Sequence, residues 1–172
     1  MIVQVQFNKS FKKLRIMKFT EIPECWKLSV MYKADGLSRS INVKYKTKEL
    51  AEQEMRKQWK EFCKRYDVAE KDCEKLDTFF QYAKNGIIYI SDVLRTDAEH
   101  IYEEPIDIAA PCGSLVQPMG HPDVTLQLAT PLIKDDCFSS RILEGEMPKD
   151  VKGWVVLSDT EEKEKRKELG EL

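Results

Sequence analysis

The side chains in this chain whose types and spacing could do chemistry all lie after residue 70. Pro111-Cys112-Gly113-Ser114, with His121 and Asp123 close behind, offers a thiol, an imidazole and a carboxylate, the set from which a nucleophile and its base are made. Cys112, His121 and Cys137, with Cys73 as a fourth, are also residue types that hold zinc. No pair has the close C-x2-C or H-x3-H spacing of structural zinc sites, and the thiol pattern matches no thiol-protease signature. The plain alternatives are buried structural cysteines and a Gly/Pro-rich loop. Asp92, Asp97, Glu103, Glu104 and Asp107 crowd together and form either a divalent-cation site or, without regular spacing, a solvated surface. His100 and His121 are followed two residues later by Tyr102 and Asp123, not by the Ser or Thr that a two-histidine phosphodiesterase needs. Phosphate-cradling and dinucleotide-binding glycine motifs are missing. The expectation is no catalytic residue, no metal and no cofactor, with a small enzyme working from the 105–140 loops kept as an alternative.

The charge is distributed unevenly. Residues 1–66 hold 16 Lys and Arg against 7 Asp and Glu, whereas residues 67–172 hold 12 against 23. A basic half points to an anionic partner, most often nucleic acid. The 172 residues suffice for one domain or two small ones, and a composition 42% hydrophobic and 34% charged fits a soluble globular protein. No run reaches the roughly 18 apolar residues that would span a bilayer, and the first residues lack a signal-peptide pattern. Five scattered cysteines, an odd number, imply reduced thiols in a cytoplasmic compartment.

The elements that would position these residues follow from periodicity. Val3, Val5 and Phe7 alternate with glutamines as on a strand, and a second strand is expected over Lys13 to Phe19. In Trp26 to Lys33 the bulky apolar residues fall at every second position, and Asp35-Gly36 supplies a hairpin turn to a return strand over Ser40 to Lys46. Trp26, Leu28, Val30, Tyr32, Ile41, Val43 and Tyr45 then share a core face. Lys27, Ser29, Met31, Lys33, Asn42, Lys44 and Lys46 share the other. Thr47 is a suitable cap for a helix running to about Tyr66, with Leu50, Ala51, Met55, Trp59, Phe62, Cys63 and Tyr66 on its apolar stripe.

The Trp-led strand, the Asp-Gly hairpin, and Tyr45-Lys46-Thr47-Lys48-Glu49-Leu50-Ala51-Glu52 opening an amphipathic helix resemble a known module. It is the three-stranded-sheet-plus-helix DNA-binding domain of phage integrase arm-binding regions and plant ethylene-response factors. The resemblance covers about residues 12–66. It implies that the exposed sheet face lies on DNA, with Lys27, Ser29, Met31, Lys33, Arg39, Asn42, Lys44 and Lys46 toward it. The sequence departs from that pattern in its extra N-terminal strand, in Glu21 and Glu24 ahead of the Trp, and in Met31 mid-face.

In the acidic half, Cys73, Leu76, Phe79, Phe80 and Ala83 recur at helical spacing, which predicts a second helix over 68–84 with Asn85-Gly86 as its C-cap. Ile87 to Leu94 reads as a buried strand, and Thr96-Asp97 as the cap of a short helix through Tyr102. Prolines then break the chain, with short strands expected at Ile106–Ile108, Val124–Leu128 and Trp154–Leu157. Thr160 to Leu172 is nearly all charged and predicts a helix capped by Asp159 or Thr160, either solvated or docked on a basic surface.

The expected fold is α+β: an N-terminal antiparallel sheet packed by one amphipathic helix, then a loop-rich α+β region and a charged C-terminal helix. The expected division is a basic unit over 1–66 and an acidic unit over 67–172, the two either separate or sharing a core. The expected function is a non-enzymatic nucleic-acid-binding accessory protein of phage or mobile-element type. Its contact residues would be Lys27, Lys33, Arg39, Asn42, Lys44 and Lys46. The alternative is a protein-interaction inhibitor whose acidic half enters the nucleic-acid channel of a basic host protein, such as a nuclease or CRISPR-type complex.

Overall fold

The structure, a computed structural model, describes residues 3–7, 14–18, 24–76 and 78–171. The protein is α+β, built from antiparallel sheets and two helices. Strands β1 (Val3–Phe7) and β2 (Leu14–Lys18) pair antiparallel, Val3 opposite Lys18 and Phe7 opposite Leu14. The ends of the expected second strand, Lys13 and Phe19, lie outside the described residues.

The main sheet begins with β3 (Glu24–Ala34) and β4 (Leu37–Tyr45), joined at Asp35-Gly36. Both turn residues have positive φ, 54° and 77°, as a tight hairpin of the primed type requires. Thr47 then caps α1 (Lys48–Tyr66), its hydroxyl accepting from the Leu50 N–H at 3.2 Å. Ala51, Met55, Trp59, Phe62 and Cys63 turn inward and cover the sheet.

The predicted helix over 68–84 does not form. A 3₁₀ turn at Glu70–Asp72 leads into β5 (Glu74–Leu76) and β6 (Phe79–Lys84), and β7 (Ile87–Asp97) follows. Asn85-Gly86 is the β6–β7 hairpin turn, with φ of 54° and 78°, rather than a helix cap. Phe80 and Tyr82 alternate with Phe79, Gln81 and Ala83, and this period of two carries Phe80 and Tyr82 into the core. The short helix expected from Thr96 is also replaced by strand: Thr96 and Asp97 extend β7 to pair with Cys25 and Glu24 of β3.

The completed sheet has the order β4-β3-β7-β6-β5. Its α1-facing side packs Leu28, Val30, Ile41, Val43, Tyr45, Phe80, Tyr82, Tyr89 and Val93 against the helix. Phe62 and Tyr89 centre an aromatic cluster with rings 4.7 Å apart, and Trp59 reaches Tyr89 at 5.0 Å. β3, from the basic half of the sequence, pairs along its length with β7, from the acidic half. One core therefore draws on both sides of residue 66.

The rest of the chain adds β8 (Ile108–Ala110), β9 (Leu115–Pro118), β10 (Thr125–Leu128), β11 (Leu132–Ile133), β12 (Ser140–Glu144) and β13 (Trp154–Val156). β12-β10-β9-β13 form a four-stranded sheet and β8 pairs with β11. The expectation of three strands here missed β9, β11 and β12. Finally α2 (Asp159–Glu168) is capped by Ser158, ahead of both expected caps, Asp159 and Thr160, its hydroxyl accepting from the Glu161 N–H at 3.2 Å.

Candidate functional site: the helix-free sheet face and its cleft

Strand parity sorts the main sheet into two faces. The face turned away from α1 carries Lys27, Ser29, Met31 and Lys33 from β3 and Ser40, Asn42 and Lys44 from β4. β7 adds Ile88, Ile90, Asp92 and Leu94, and its register sets Ile88 beside Lys33 and Leu94 beside Lys27. Met31, Leu94 and Ile88 are 61%, 52% and 48% exposed, large values for side chains of this kind. The face is thus mixed, with lysines interleaved with apolar groups. The sequence marks Ile87 to Leu94 only as a buried strand, and the pairing that brings β7 residues beside Lys27 and Lys33 is not legible in it.

Lys27 and Lys44 stand directly opposite one another on β3 and β4. Like charges opposed across a strand pair repel. Among the described residues neither lysine has an ion-pair partner, and the same holds for Lys33. Asn42 accepts from the Ser29 hydroxyl at 2.9 Å through Oδ1, which leaves its amide hydrogens as donors. Lys46 lies just past β4 and pairs with Glu103 at 3.2 Å, both groups exposed.

Arg39 does not join this face. Its parity is that of Ile41, Val43 and Tyr45, so it points to the α1 side, where it is 5% exposed. Its guanidinium donates to Glu162 Oε1 at 2.5 Å, to the Ser38 carbonyl at 3.0 Å and to the Gly113 carbonyl at 3.2 Å. Glu162, fully buried on α2, also accepts from the Leu115 N–H at 3.2 Å and from Arg166 at 3.0 Å. The charged C-terminal helix is therefore docked on its own chain by a buried ion network, and the basic surface it meets is Arg39. The strand alternation that assigns Val43 and Tyr45 to the core was the available signal for Arg39. Nothing in the run Glu161-Glu162-Lys163-Glu164 singles out Glu162.

At one end of the helix-free face the chain folds over the sheet and forms a cleft of about 800 Å³. Lys27, Asn42 and Lys44 make its floor; Pro131, Ile133 and Phe138 make an apolar wall; His100, Tyr102, Asp136 and Cys137 complete the rim. The cover is held by β4, whose outer edge pairs with Tyr102 (Lys46 N–H to Tyr102 O at 2.9 Å) and with Cys112 (Cys112 N–H to Ser40 O at 2.8 Å). Phe138 is braced edge-on by Trp154 at 5.0 Å. The Tyr102 hydroxyl donates to Asp136, and burial together with that carboxylate pushes the phenol up to about 12. His100 packs edge-on to Tyr102 at 4.9 Å.

The other residues singled out from the sequence fall elsewhere. The Cys112 thiol donates to the carbonyls of Ala129 and Leu128 at 3.3 and 3.5 Å, a structural role at the edge of β4. Cys25 and Cys63 are buried, Cys73 and Cys112 half-buried, Cys137 exposed, and all five thiols are free. Among the described residues no three His, Cys, Asp or Glu side chains come together as a metal-holding set. Of the clustered carboxylates, Asp92 stands on the helix-free face while Glu103 pairs with Lys46. Among the described residues no helix is long and apolar enough to cross a membrane.

Comparisons with protein-family models, with curated proteins and with solved structures find no match to this chain.

Proposed function

We propose that this protein is a nucleic-acid-binding accessory protein that docks through the helix-free face of its main sheet. The observation that carries the reading is the opposed pair Lys27 and Lys44, with Lys33 on the same face and none of the three in an ion pair among the described residues. An anion placed over the pair relieves their repulsion, and a polyanion releases counterions as it binds. Asn42 adds a donor able to reach a base edge. Arg39, expected among the contacts, has no part in this proposal because its guanidinium is occupied in the core.

The test is fluorescence anisotropy with labelled DNA and RNA across a salt series. Binding is expected to weaken as salt rises, and a Lys27/Lys33/Lys44 triple alanine variant to flatten the log–log slope by about 3, one per lost phosphate contact. A variant that binds as the parent does ends the sheet-face reading.

A second reading, a protein-interaction role, draws on the exposed Met31, Ile88 and Leu94 beside those lysines. Exposed apolar side chains set among charged ones suit a protein surface. Its signature would be binding that survives high salt and is lost in a Met31→Asp/Leu94→Asp variant.

A further inference from the structure

We propose that the cleft over Lys27 and Lys44 seats one nucleotide of a single-stranded nucleic acid, phosphate on the two lysines and base against Pro131, Ile133 and Phe138. This rests on the nucleic-acid reading and narrows it to a substrate class.

The volume of about 800 Å³ lies within the roughly 300–1,000 Å³ of pockets that enclose small ligands. The chemistry is split as a nucleotide's is. The floor is doubly cationic, with Asn42 as a hydrogen-bond donor between the lysines and the open sheet. The wall is apolar and includes one aromatic ring, which the edge-on contact with Trp154 holds in place. The one acidic side chain on the rim, Asp136, is engaged by the Tyr102 hydroxyl.

A duplex keeps its bases stacked inside and must unpair to place one in such a cleft. A single strand has its bases available, and stacking on aromatic side chains is how such strands are held without regard to sequence. The open face beyond the cleft is again mixed, with Asp92 as the carboxylate that β7 places on it. Met31, Ile88 and Leu94 offer apolar contact to further bases, and Lys33 a further phosphate contact.

Cys137, exposed on the rim, provides a probe that needs no substitution. Binding of an oligothymidylate of about eight nucleotides is compared with that of a duplex of equal length. The rate of Cys137 alkylation, mapped by mass spectrometry, is followed in parallel. The single strand is expected to bind more tightly and to slow Cys137 alkylation several-fold, with Cys112 unchanged. Phe138→Ala is expected to weaken single-strand binding about ten-fold and to leave duplex binding alone. If single strand and duplex bind equally and Cys137 reacts at the same rate throughout, the cleft assignment fails while the sheet-face reading stands. If neither nucleic acid binds, both fail. A polyglutamate peptide that binds as tightly and protects Cys137 equally would identify an acidic protein partner and overturn the proposal.

Discussion

Arg39 occupies a strand position whose neighbours two and four residues on are Ile41 and Val43, and that parity puts a guanidinium into the interior. A buried charge is tolerated only when paired and hydrogen-bonded, and Arg39 meets that condition through Glu162 and two carbonyls. Removing one partner strands the other. Arg39→Met is therefore expected to cost about 3–5 kcal/mol in urea denaturation, and Arg39→Met with Glu162→Met clearly less than the sum of the two single changes. Additive losses would show that the pair is not coupled. Glu54 makes the opposite kind of case. Burial raises its pKa above the ordinary 4.5, with Lys57, Gln58 and Tyr45 pulling it back down. A carboxyl whose pKa is raised by folding binds more protons when folded than when unfolded. Its contribution is fully present below the unfolded value and is lost as pH rises through the folded one. Glu54→Gln should thus gain in Tm relative to the parent as pH climbs above about 4.5, and match it at acid pH. A constant difference across pH would mean that Glu54 does not titrate in this way.

The segment 68–84 shows how two readings compete at the scale of an element. Cys73, Leu76, Phe80 and Ala83 fit a helical spacing, while Phe80 and Tyr82 fit a strand on the same stretch. The strand prevails because Asn85-Gly86 closes a hairpin onto β7 and the core needs Phe80 and Tyr82 on one side. The contact between the second half and β4 depends on another glycine. A Cβ on Gly113 would lie 2.7 Å from the Ser38 carbonyl oxygen, and φ there is +95°. Gly86 also has positive φ, +78°, but open space around it. Gly113→Ala should therefore lower Tm more than Gly86→Ala, with about 1–3 kcal/mol from backbone strain alone and the clash on top. Equal losses would remove the close approach as a cause.

Over the whole molecule, the sequence halves of opposite charge are interleaved rather than set side by side. β3 has β4 on one edge and β7 on the other, and the core cluster takes side chains from both halves. A fragment ending at residue 66 would leave the β7-facing edge of β3 unpaired and drop Phe80, Tyr82, Tyr89 and Val93 from the core. It is expected to show no cooperative thermal transition by circular dichroism, and a sharp transition would establish residues 1–66 as an independent unit. The positive charge is also divided. Lys27, Lys33 and Lys44 lie on the helix-free face, whereas Arg56, Lys57, Lys60 and Lys64 are exposed on α1. The basic excess of residues 1–66 is therefore not one surface.

Local periodicity was enough to determine β3, β4, the Asp35-Gly36 turn, α1 with its Thr47 cap, and the two faces of the β3–β4 hairpin. Each depends on spacing within a few residues, and a period of two or of 3.6 states it directly. The opposition of Lys27 and Lys44 follows from the same hairpin register. Everything that depends on distant segments was decided by tertiary structure. The pairing of β7 with β3 sets Ile88 and Leu94 among the lysines, the 130–139 segment roofs the cleft, and Glu162 answers Arg39 across 123 residues. Such contacts are selected by shared burial and charge pairing between elements, and no spacing along the chain encodes which partner a side chain will meet.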